Sequence, residues 1–233
     1  MKPPHFAPSS LLLVLLASAL AVTAAEKVLP LTTTEGLILH HAEAAAVTFE
    51  GRSALQLTAP APPATNDRNR LDHLAIVENL AFTNGTIEVD VAGQPNPHAS
   101  GGARGFVGVA FRVQPDRGTY DCFYLRPTNG RAEDQERRNH TVQYISHPEF
   151  TWSKFRQDSP SRYESYVDIT PATWIHVKIE VTGDKARLFI DGREQPTLII
   201  NDVKSGAAGS GAVALWFEGS TVAHFANLKI TTR

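Results

Sequence analysis

Residues 112–166 concentrate the side-chain types that hold sugars. Arg, Tyr, Asn, Gln, His and Trp recur there, most densely in the run RRNHTVQYISH at 137–147. Aromatic faces pack against the C–H patches of a sugar ring, and planar polar groups form paired hydrogen bonds to its hydroxyls. This composition predicts a carbohydrate site, with a polar, solvated sheet face and loop as the alternative. The predicted substrate-binding residues are Arg112, Tyr124, Asn139, Gln143, Tyr144 and Trp152.

The alternation of side chains along a strand orients some of these groups. Phe123 and Leu125 are apolar and are expected in the core. Tyr124 and Arg126 alternate with them, so we expect these two on the opposite, accessible face. The same rule places Glu164 on an outward face.

The elements that must position these residues read as β-strands. Short runs rich in Val, Ile, Phe, Tyr and Thr recur between Gly, Pro, Asn and Asp, and residues 174–191 form the clearest hairpin. The fold class predicted is all-β, a two-sheet antiparallel β-sandwich in one domain over residues 26–233. Strands are predicted near 36–40, 54–58, 86–92, 105–113, 120–126, 141–146, 163–168, 174–182, 186–191, 212–218 and 222–231.

The first 25 residues have the pattern of a secretory signal peptide. Lys2 precedes a nearly continuous apolar run at 11–22, and small residues before Ala25 suit cleavage there. The run is shorter than the roughly 20 residues of a spanning helix, although an uncleaved anchor is the alternative. No second such run follows, so no membrane span is predicted in the mature chain. Cys122 is the only cysteine, which excludes an intramolecular disulfide. We expect a secreted or periplasmic bacterial protein.

The overall charge argues against one class of partner. Of the 233 residues 42% are hydrophobic, and 22 Lys and Arg stand against 24 Asp and Glu, a formal net charge of −2. Nucleic-acid binding requires a basic footprint for phosphates, so no nucleic-acid partner is predicted.

The sequence contains only a weak pattern for a metal site. His140 and His147 are accompanied by Asp121 and Glu149 as oxygen ligands, but no H-x-x-x-H or paired-Cys spacing occurs. Metal ligands are therefore unknown from the sequence, and no cofactor is specified. A divalent cation, calcium on scattered Asp and Asn oxygens, is kept as an alternative.

Several segments together resemble a known superfamily. The sequence is similar to the strand series of the concanavalin A-like lectin/glucanase superfamily over about residues 36–231. More narrowly, it resembles laminin-G-like jelly rolls and the bacterial secreted 3-keto-glycoside (3-keto-disaccharide) hydrolases. The resemblance implies two packed sheets, one of them concave and used for sugars. It is carried by FTNGTIEVDV (82–91), GFVGVAFRV (105–113), WIHVKIEVTGDKARLFIDG (174–192), GAVALWFEG (211–219) and AHFANLKI (223–230).

The same superfamily contains retaining glucanases with an E-x-D-x-x-E strand. Glu88 and Asp90 match its first two acids, and Gly93 takes the place of the third. A retaining glycosidase needs two carboxylates about 5 Å apart across the scissile bond. Because the partner acid is missing, Glu88 and Asp90 are expected on the solvated face of a structural strand.

The resemblance to the 3-keto-glycoside hydrolases implies an elimination and hydration route. A ketone at sugar C3 acidifies the C2 proton, so that one base removes it while the C1 leaving group departs and water adds back. His140, His147 or Glu164 is the predicted base, and Arg126 or Arg112 the group that stabilises the enolate.

Two other readings stay open. A non-catalytic carbohydrate-binding or adhesion module of laminin-G-like type would use the same face without a base. A structural domain of a larger secreted complex would bind no sugar. In the first two readings the partner is a carbohydrate, either an oligosaccharide or a glycoside.

Overall fold

The computed structural model describes Met1 and residues 24–60, 72–99 and 103–233. The predicted signal peptide, residues 1–25, lies almost wholly outside the described residues. The strands are β1 (Ala25–Leu29), β2 (Leu37–His40), β3 (Glu43–Phe49), β4 (Arg52–Thr58), β5 (His73–Val77), β6 (Gly85–Pro95), β7 (Val107–Val113), β8 (Tyr120–Leu125), β9 (Val142–His147), β10 (Glu164–Ser165), β11 (Ile175–Thr182), β12 (Lys185–Ile190), β13 (Leu198–Ile200), β14 (Ala212–Phe217) and β15 (Thr221–Thr232). The helices are α1 (Gln135–Asn139), α2 (Trp152–Asp158) and a 3-10 turn (Pro127–Asn129).

The strands form two sheets with antiparallel pairing. Sheet I has the order β13-β12-β11-β6-β15-β4-β3, with β1 also paired to β15. Sheet II has the order β10-β9-β8-β7-β14-β5-β2. The predicted two-sheet antiparallel sandwich is confirmed.

Alternation along the strands builds the core between the sheets. In β11 the burial pattern alternates strictly, with Ile175, Val177 and Ile179 buried and the residues between them half-exposed. Phe123 and Leu125 of β8 join the same core, as predicted. The period-2 pattern is therefore sufficient to tell the inner face of each sheet from the outer one.

The outer face of sheet II carries a second apolar cluster. Its aromatic members Tyr120, Tyr124 and Trp216 define what we call the aromatic face. They lie opposite the inter-sheet core because their strand neighbours point into it. The remaining members are Leu74, Ile76, Ala110, Val113, Cys122, Ile145 and Ala214.

Some predicted elements differ in the structure. The strand predicted at 163–168 is only Glu164–Ser165, and the charged stretch before Asn139 holds the five-residue helix α1. Asp134 caps this helix by accepting a hydrogen bond from the Arg137 backbone N–H at 2.8 Å. None of the helices in the described part of the chain is long and apolar enough to cross a membrane.

Glu88 and Asp90 lie on the outer face of sheet I, not on the aromatic face. His176 Nδ1 is 2.8 Å from Asp90 Oδ1, and the side chains of Arg52 and Asn227 also contact Asp90. This carboxylate is part of a polar network on a structural strand, as predicted.

Candidate functional site

Aromatic rings form the floor of the candidate site. The ring centroids of Tyr124 and Trp216 are 4.9 Å apart, and Phe106 lies 5.5 Å from Tyr124 on its other side. Trp216 Nε1 donates a hydrogen bond of 3.1 Å to the Tyr120 hydroxyl. Tyr124 is only 2% exposed and Trp216 8% exposed. The floor is therefore positioned by mutual packing and is more deeply buried than the sequence predicts.

One end of this face holds a buried carboxylate with two arginines. Arg156 Nη2 lies 2.7 Å from Glu164 Oε1, and Arg126 Nη1 lies 3.4 Å from the same oxygen. Both Glu164 and Arg126 are almost fully buried. Two cations compensate one buried carboxylate, so we call this group the Glu164 cluster.

Arg126 connects the Glu164 cluster to the aromatic face. Its Nη2 donates to the Tyr124 hydroxyl at 2.7 Å and to Gln143 Oε1 at 3.1 Å. Its Nη1 donates to the His140 carbonyl at 2.6 Å. The structure thus brings together five of the residues that the sequence singled out: Tyr124, Arg126, His140, Gln143 and Glu164.

The His140 ring lies beside the same carboxylate. Its Nδ1 is 2.6 Å from Glu164 Oε2, and its Nε2 is 3.7 Å from the exposed Glu136. The ring is not aligned for a hydrogen bond in either direction, so both nitrogens lack a well-directed partner among the described residues.

His147 lies at the other end of β9, four residues from Gln143 and therefore about 13 Å away along the strand. Its Nδ1 is 2.9 Å from the Tyr120 hydroxyl and 3.2 Å from Asp72 Oδ1. The Tyr120 hydroxyl also donates to Asp72 Oδ1 at 2.5 Å. Burial, and next the charge of Asp72, raise the pKa of Tyr120 well above its ordinary value, which keeps its hydroxyl protonated as a donor.

A pocket of about 420 Å³ opens beside His147 and Tyr120. The His147 side chain is 25% exposed. In the described part of the chain no group hydrogen-bonds its Nε2, whereas Nδ1 faces Asp72 and Tyr120. The lining residues are Arg112, Gln114, Thr119, Tyr120, Ser146, His147, Pro148, Glu149, Phe150, Lys204, Ser205, Gly209 and Ser210.

Arg112 departs from its predicted position on a sugar-binding face. It has a positive φ of 53° where the pairing of β7 and β14 shifts register, and this bulge turns its side chain inward. Its guanidinium donates to the carbonyls of Thr83, Gly183 and Gly206. Because every donor is engaged and the residue is only 1% exposed, Arg112 clamps three loops behind the pocket wall.

Tyr144 also departs from the prediction. It neighbours Gln143 on β9 and therefore points to the opposite side, into the inter-sheet core. Its hydroxyl donates to the buried Asp121 and accepts from the Lys204 backbone N–H at 2.9 Å. Tyr144 thus supports the sheet from inside and cannot meet a ligand on the aromatic face.

Asn139 and Trp152 lie at the rim. Asn139 is exposed on α1 and accepts a hydrogen bond from Gln135. Trp152, 44% exposed, begins α2 with the Arg156 guanidinium 4.9 Å from its ring centroid. Trp152 is therefore joined to the Glu164 cluster through Arg156.

Sequence reasoning missed Asp72 and did not place Trp216 in the site. Asp72 precedes β5, far along the chain from His147, and no local pattern marks it as a partner. Trp216 packs in the apolar cluster of the aromatic face. The alternation of Trp216 with the core residues Leu215 and Phe217 is a signal that could have placed it there.

No metal centre stands out. Among residues 24–60, 72–99 and 103–233, no group of three or more His, Cys, Asp or Glu side chains is arranged to hold a cation. Cys122 is fully buried in the aromatic face, and burial raises the pKa of its thiol well above the ordinary value. A buried, protonated thiol is a packing group rather than a nucleophile.

Comparison with known proteins gives a fold but no family. No family model and no curated protein matches the sequence. The chain is similar to the carbohydrate-binding module CBM66 from Bacillus subtilis, with a TM-score of 0.53, 15% identity and coverage of 84% of this chain and 95% of that one. It is also similar to a Bacillus subtilis protein of unknown function with a galectin-like fold, with a TM-score of 0.56, 12% identity and coverage of 89% of this chain and 96% of that one. Similarity to a Bacillus licheniformis β-glucanase has a TM-score of 0.50, with 13% identity and coverage of 89% of this chain and 98% of that one.

The fold is a concanavalin A-like jelly roll. The superfamily resemblance seen in the sequence is thereby confirmed at the level of architecture. At these identities the similarity covers the jelly roll alone, so the chemistry must be argued from this chain's own residues.

Proposed function

We propose that this jelly roll is a carbohydrate-active protein and that its sugar site lies along the aromatic face. Its tilted aromatic rings are bordered by arginine, amide and carboxylate groups, and the exposed Trp152 ring lies at the rim, which are the two kinds of group that sugar sites use. The similarity to a carbohydrate-binding module and to a β-glucanase supports the same class of partner.

We further propose that the protein hydrolyses 3-keto-glycosides, with His147 as the base. The observation that carries this proposal is the contact of His147 Nδ1 with Asp72 at the edge of the pocket. A carboxylate that accepts from Nδ1–H fixes the tautomer in which Nε2 bears the free lone pair. Nε2 is then the atom positioned to take a proton from a substrate in the pocket.

The proposed reaction needs one base and one water. His147 Nε2 takes the proton from C2, the electron pair moves toward the C3 ketone as an enolate, and the C1–O bond then breaks as His147 passes this proton to the departing glycosidic oxygen. Water adds across the C1=C2 bond of the resulting enone, its hydroxyl to C1 and its remaining proton to C2 through His147. The products are the alcohol and the 3-keto sugar, so atoms and charge balance.

Positive charge near the pocket would stabilise the enolate. Lys204 lines the pocket with its Nζ paired to Asp202 at 2.8 Å, and Arg112 holds its guanidinium behind the same wall. No carboxylate forms an ion pair with Arg112 within the described residues, so its charge is not neutralised by direct contact. In a site of low dielectric such a charge favours a developing anion.

Glu164 and His140 fit the role of base less well. Arg156 and His140 contact both carboxylate oxygens of Glu164, and its side chain is almost fully buried. The His140 ring is confined between Glu164 and Glu136. Arg126, predicted as enolate stabiliser, has its donors engaged by protein groups. These residues are better suited to shaping the sugar-binding end of the face.

The test is a turnover assay on the purified protein. Chromogenic 3-keto-glucosides are compared with their unoxidised parents, with and without a chelator. We expect release from the keto substrates alone. Release of the chromophore from neither set would reject the hydrolase. Loss of release when a chelator is added would show that a metal ion, and not protein charge, stabilises the enolate.

A non-catalytic binding module is the second candidate. The similarity to the carbohydrate-binding module favours it, as does the shared aromatic floor. In that case glycan affinity is present, no substrate turns over, and Trp152→Ala weakens binding.

We also propose that residues 1–25 are removed as a signal peptide on export to the periplasm or medium of a bacterium. Cleavage after Ala25 would leave Glu26 of β1 paired with Thr231 of β15, so the strand survives processing. N-terminal sequencing of the exported protein tests this. A retained Lys2 would contradict it.

A further inference from the structure

More arginines lie around the Glu164 cluster than its single negative charge can neutralise. Glu164 contacts both Arg126 and Arg156. Arg137 lies beside them on α1, where its Nε donates to Asn129 Oδ1 at 3.0 Å and its Nη2 to Thr128 Oγ1 at 3.4 Å. Within the described residues, the Arg137 guanidinium therefore hydrogen-bonds to neutral groups.

A fourth arginine completes the group. Thr128 Oγ1 donates to the backbone carbonyl of Arg104 at 3.3 Å, which places the Arg104 backbone next to the Thr128–Arg137 contact. In the described ranges no carboxylate forms an ion pair with Arg104 or Arg137. Partial desolvation, and then the charges of Arg137, Arg126 and Arg156, lower the pKa of Arg104, although its side chain still reaches solvent. Neighbouring like charges repel one another, and an anion bound between them would relieve the repulsion.

Nearby acids do not remove this surplus. Asp134 and Glu136 belong to α1: Asp134 caps the helix, and Glu136 approaches His140 with a side chain that is mostly exposed. Asp168 pairs with Arg131 at 2.8 Å, outside the group. Among the described residues, the carboxylate of Glu164 is therefore the one that forms ion pairs within the group of Arg104, Arg126, Arg137 and Arg156.

We propose that the carbohydrate bound at this end carries an anionic group, a carboxylate or a sulfate ester, which Arg104 and Arg137 receive. Guanidinium groups match the paired oxygens of such groups, and Arg104 is exposed to solvent. The exposed Trp152 ring beside Arg156 offers a surface for the adjoining sugar. This inference rests on the proposed carbohydrate site and specifies its ligand class.

The experiment measures affinity for matched glycan pairs by calorimetry. The pairs are glucose- and glucuronate-containing disaccharides, galactose- and galacturonate-containing disaccharides, and galactosides with and without a sulfate ester. We expect the acidic members to bind at least about tenfold more tightly than their neutral partners, because charge-assisted hydrogen bonds are added. The difference should shrink as salt is raised. The uronate and sulfate arms tell the two anions apart.

Variants locate the effect. Arg104→Gln with Arg137→Gln should bring acidic glycans down to the affinity of neutral ones and leave neutral binding unchanged. The matched control is Arg131→Gln, which removes the same charge from an exposed pair with Asp168 and should leave both affinities unchanged. An unchanged unfolding midpoint in urea shows that the double variant is folded.

The outcomes separate this inference from the proposed function. Equal affinity for neutral and acidic members would overturn the anionic ligand but keep the carbohydrate site. No binding of any glycan would reject the site itself. An acid preference that survives the Arg104 and Arg137 substitutions would also overturn the assignment to these arginines.

Discussion

At the scale of single residues, both ends of the aromatic face depend on buried polar groups that satisfy one another. The Tyr120 hydroxyl is shared by Trp216, His147 and Asp72. At the other end, Arg126 and Arg156 share Glu164. Removing one member leaves its partners buried without a hydrogen-bond partner. The loss in unfolding free energy is then larger than the contribution of the hydrogen bond alone.

Glu164→Gln tests the buried ion pairs. The substitution keeps the shape but leaves the buried Arg126 without a counter-charge, which costs about 3–5 kcal/mol of unfolding free energy. Urea denaturation measures it. The matched change Glu136→Gln, in an exposed side chain, should alter stability by no more than about 0.5 kcal/mol. Equal effects of the two would contradict this account.

Tyr120→Phe tests the other end. Loss of the hydroxyl leaves Trp216 Nε1–H without its acceptor, which costs about 1–3 kcal/mol by urea denaturation. Turnover of a 3-keto-glucoside should also fall, because one partner of His147 Nδ1 is removed. Tyr166→Phe, in an exposed ring whose hydroxyl accepts a hydrogen bond from Arg138, is the control and should leave turnover unchanged. Full activity in the Tyr120 variant would show that the hydroxyl does not orient the base.

At the scale of elements, β7, β8, β9 and β14 place the site, and the closeness of β7 to β8 depends on Gly108. A Cβ at this position would lie 2.2 Å from the Phe123 carbonyl and 2.6 Å from the Tyr124 Cβ. Only a residue without a side chain permits this spacing. The position of Tyr124 on the aromatic face is thus fixed from the neighbouring strand.

Gly108→Ala should therefore separate the two strands locally. We expect a loss of stability of about 1–3 kcal/mol, the usual cost of overpacking, together with weaker glycan binding. Thermal unfolding and calorimetry measure the two effects. Gly118→Ala meets only Asp72 Oδ2 at 3.9 Å and should be tolerated. An unchanged midpoint for Gly108→Ala would show that the strands can move apart at no cost.

The sequence predicts the strands far better than it predicts the two short helices or the contacts between distant segments. Strict alternation around Phe123 and Leu125 is enough to place Tyr124 and Arg126 on the outer face. Helices α1 and α2 span five and seven residues, too short to show a helical period. The Asp72–His147 contact joins chain segments that only the folded sheet brings together, so local patterns contain no signal for it. Arg112 was misplaced because a bulge interrupts the alternation.

At the scale of the whole molecule, the sequence predicts the two-sheet sandwich but not the burial of side chains on the outer face of sheet II. Burial of Tyr124 and Arg126 depends on Phe106, Trp216 and Glu164, which come from different elements. On sheet I, His224 is also buried and stacks on Phe49 with ring centroids 3.8 Å apart. Buried histidines of this kind make stability depend on pH.

Stability should fall as the solution is acidified. Burial lowers the pKa of His224 to about 4, below the value near 6.5 of the unfolded chain, so protonation favours unfolding. The contribution is fully present above about pH 6.5 and is lost as pH falls toward 4, a change on the order of 2–3 kcal/mol. Burial lowers the pKa of His73 and His40 in the same direction. Urea denaturation across this range should show a shallower slope for His224→Gln than for His98→Gln, an exposed site; equal slopes would contradict the assignment.

The central claim is that His147 is the base of a glycoside-cleaving site on the aromatic face. Its most direct test measures, for His147→Gln, both turnover of a chromogenic 3-keto-glucoside and affinity for the unoxidised parent glycoside. The matched control is His176→Gln on the outer face of sheet I. We predict that turnover falls by about 10²–10⁴-fold in the His147 variant alone, while affinity stays unchanged and a cooperative urea transition shows that the variant is folded. Undiminished turnover in that variant would contradict the claim.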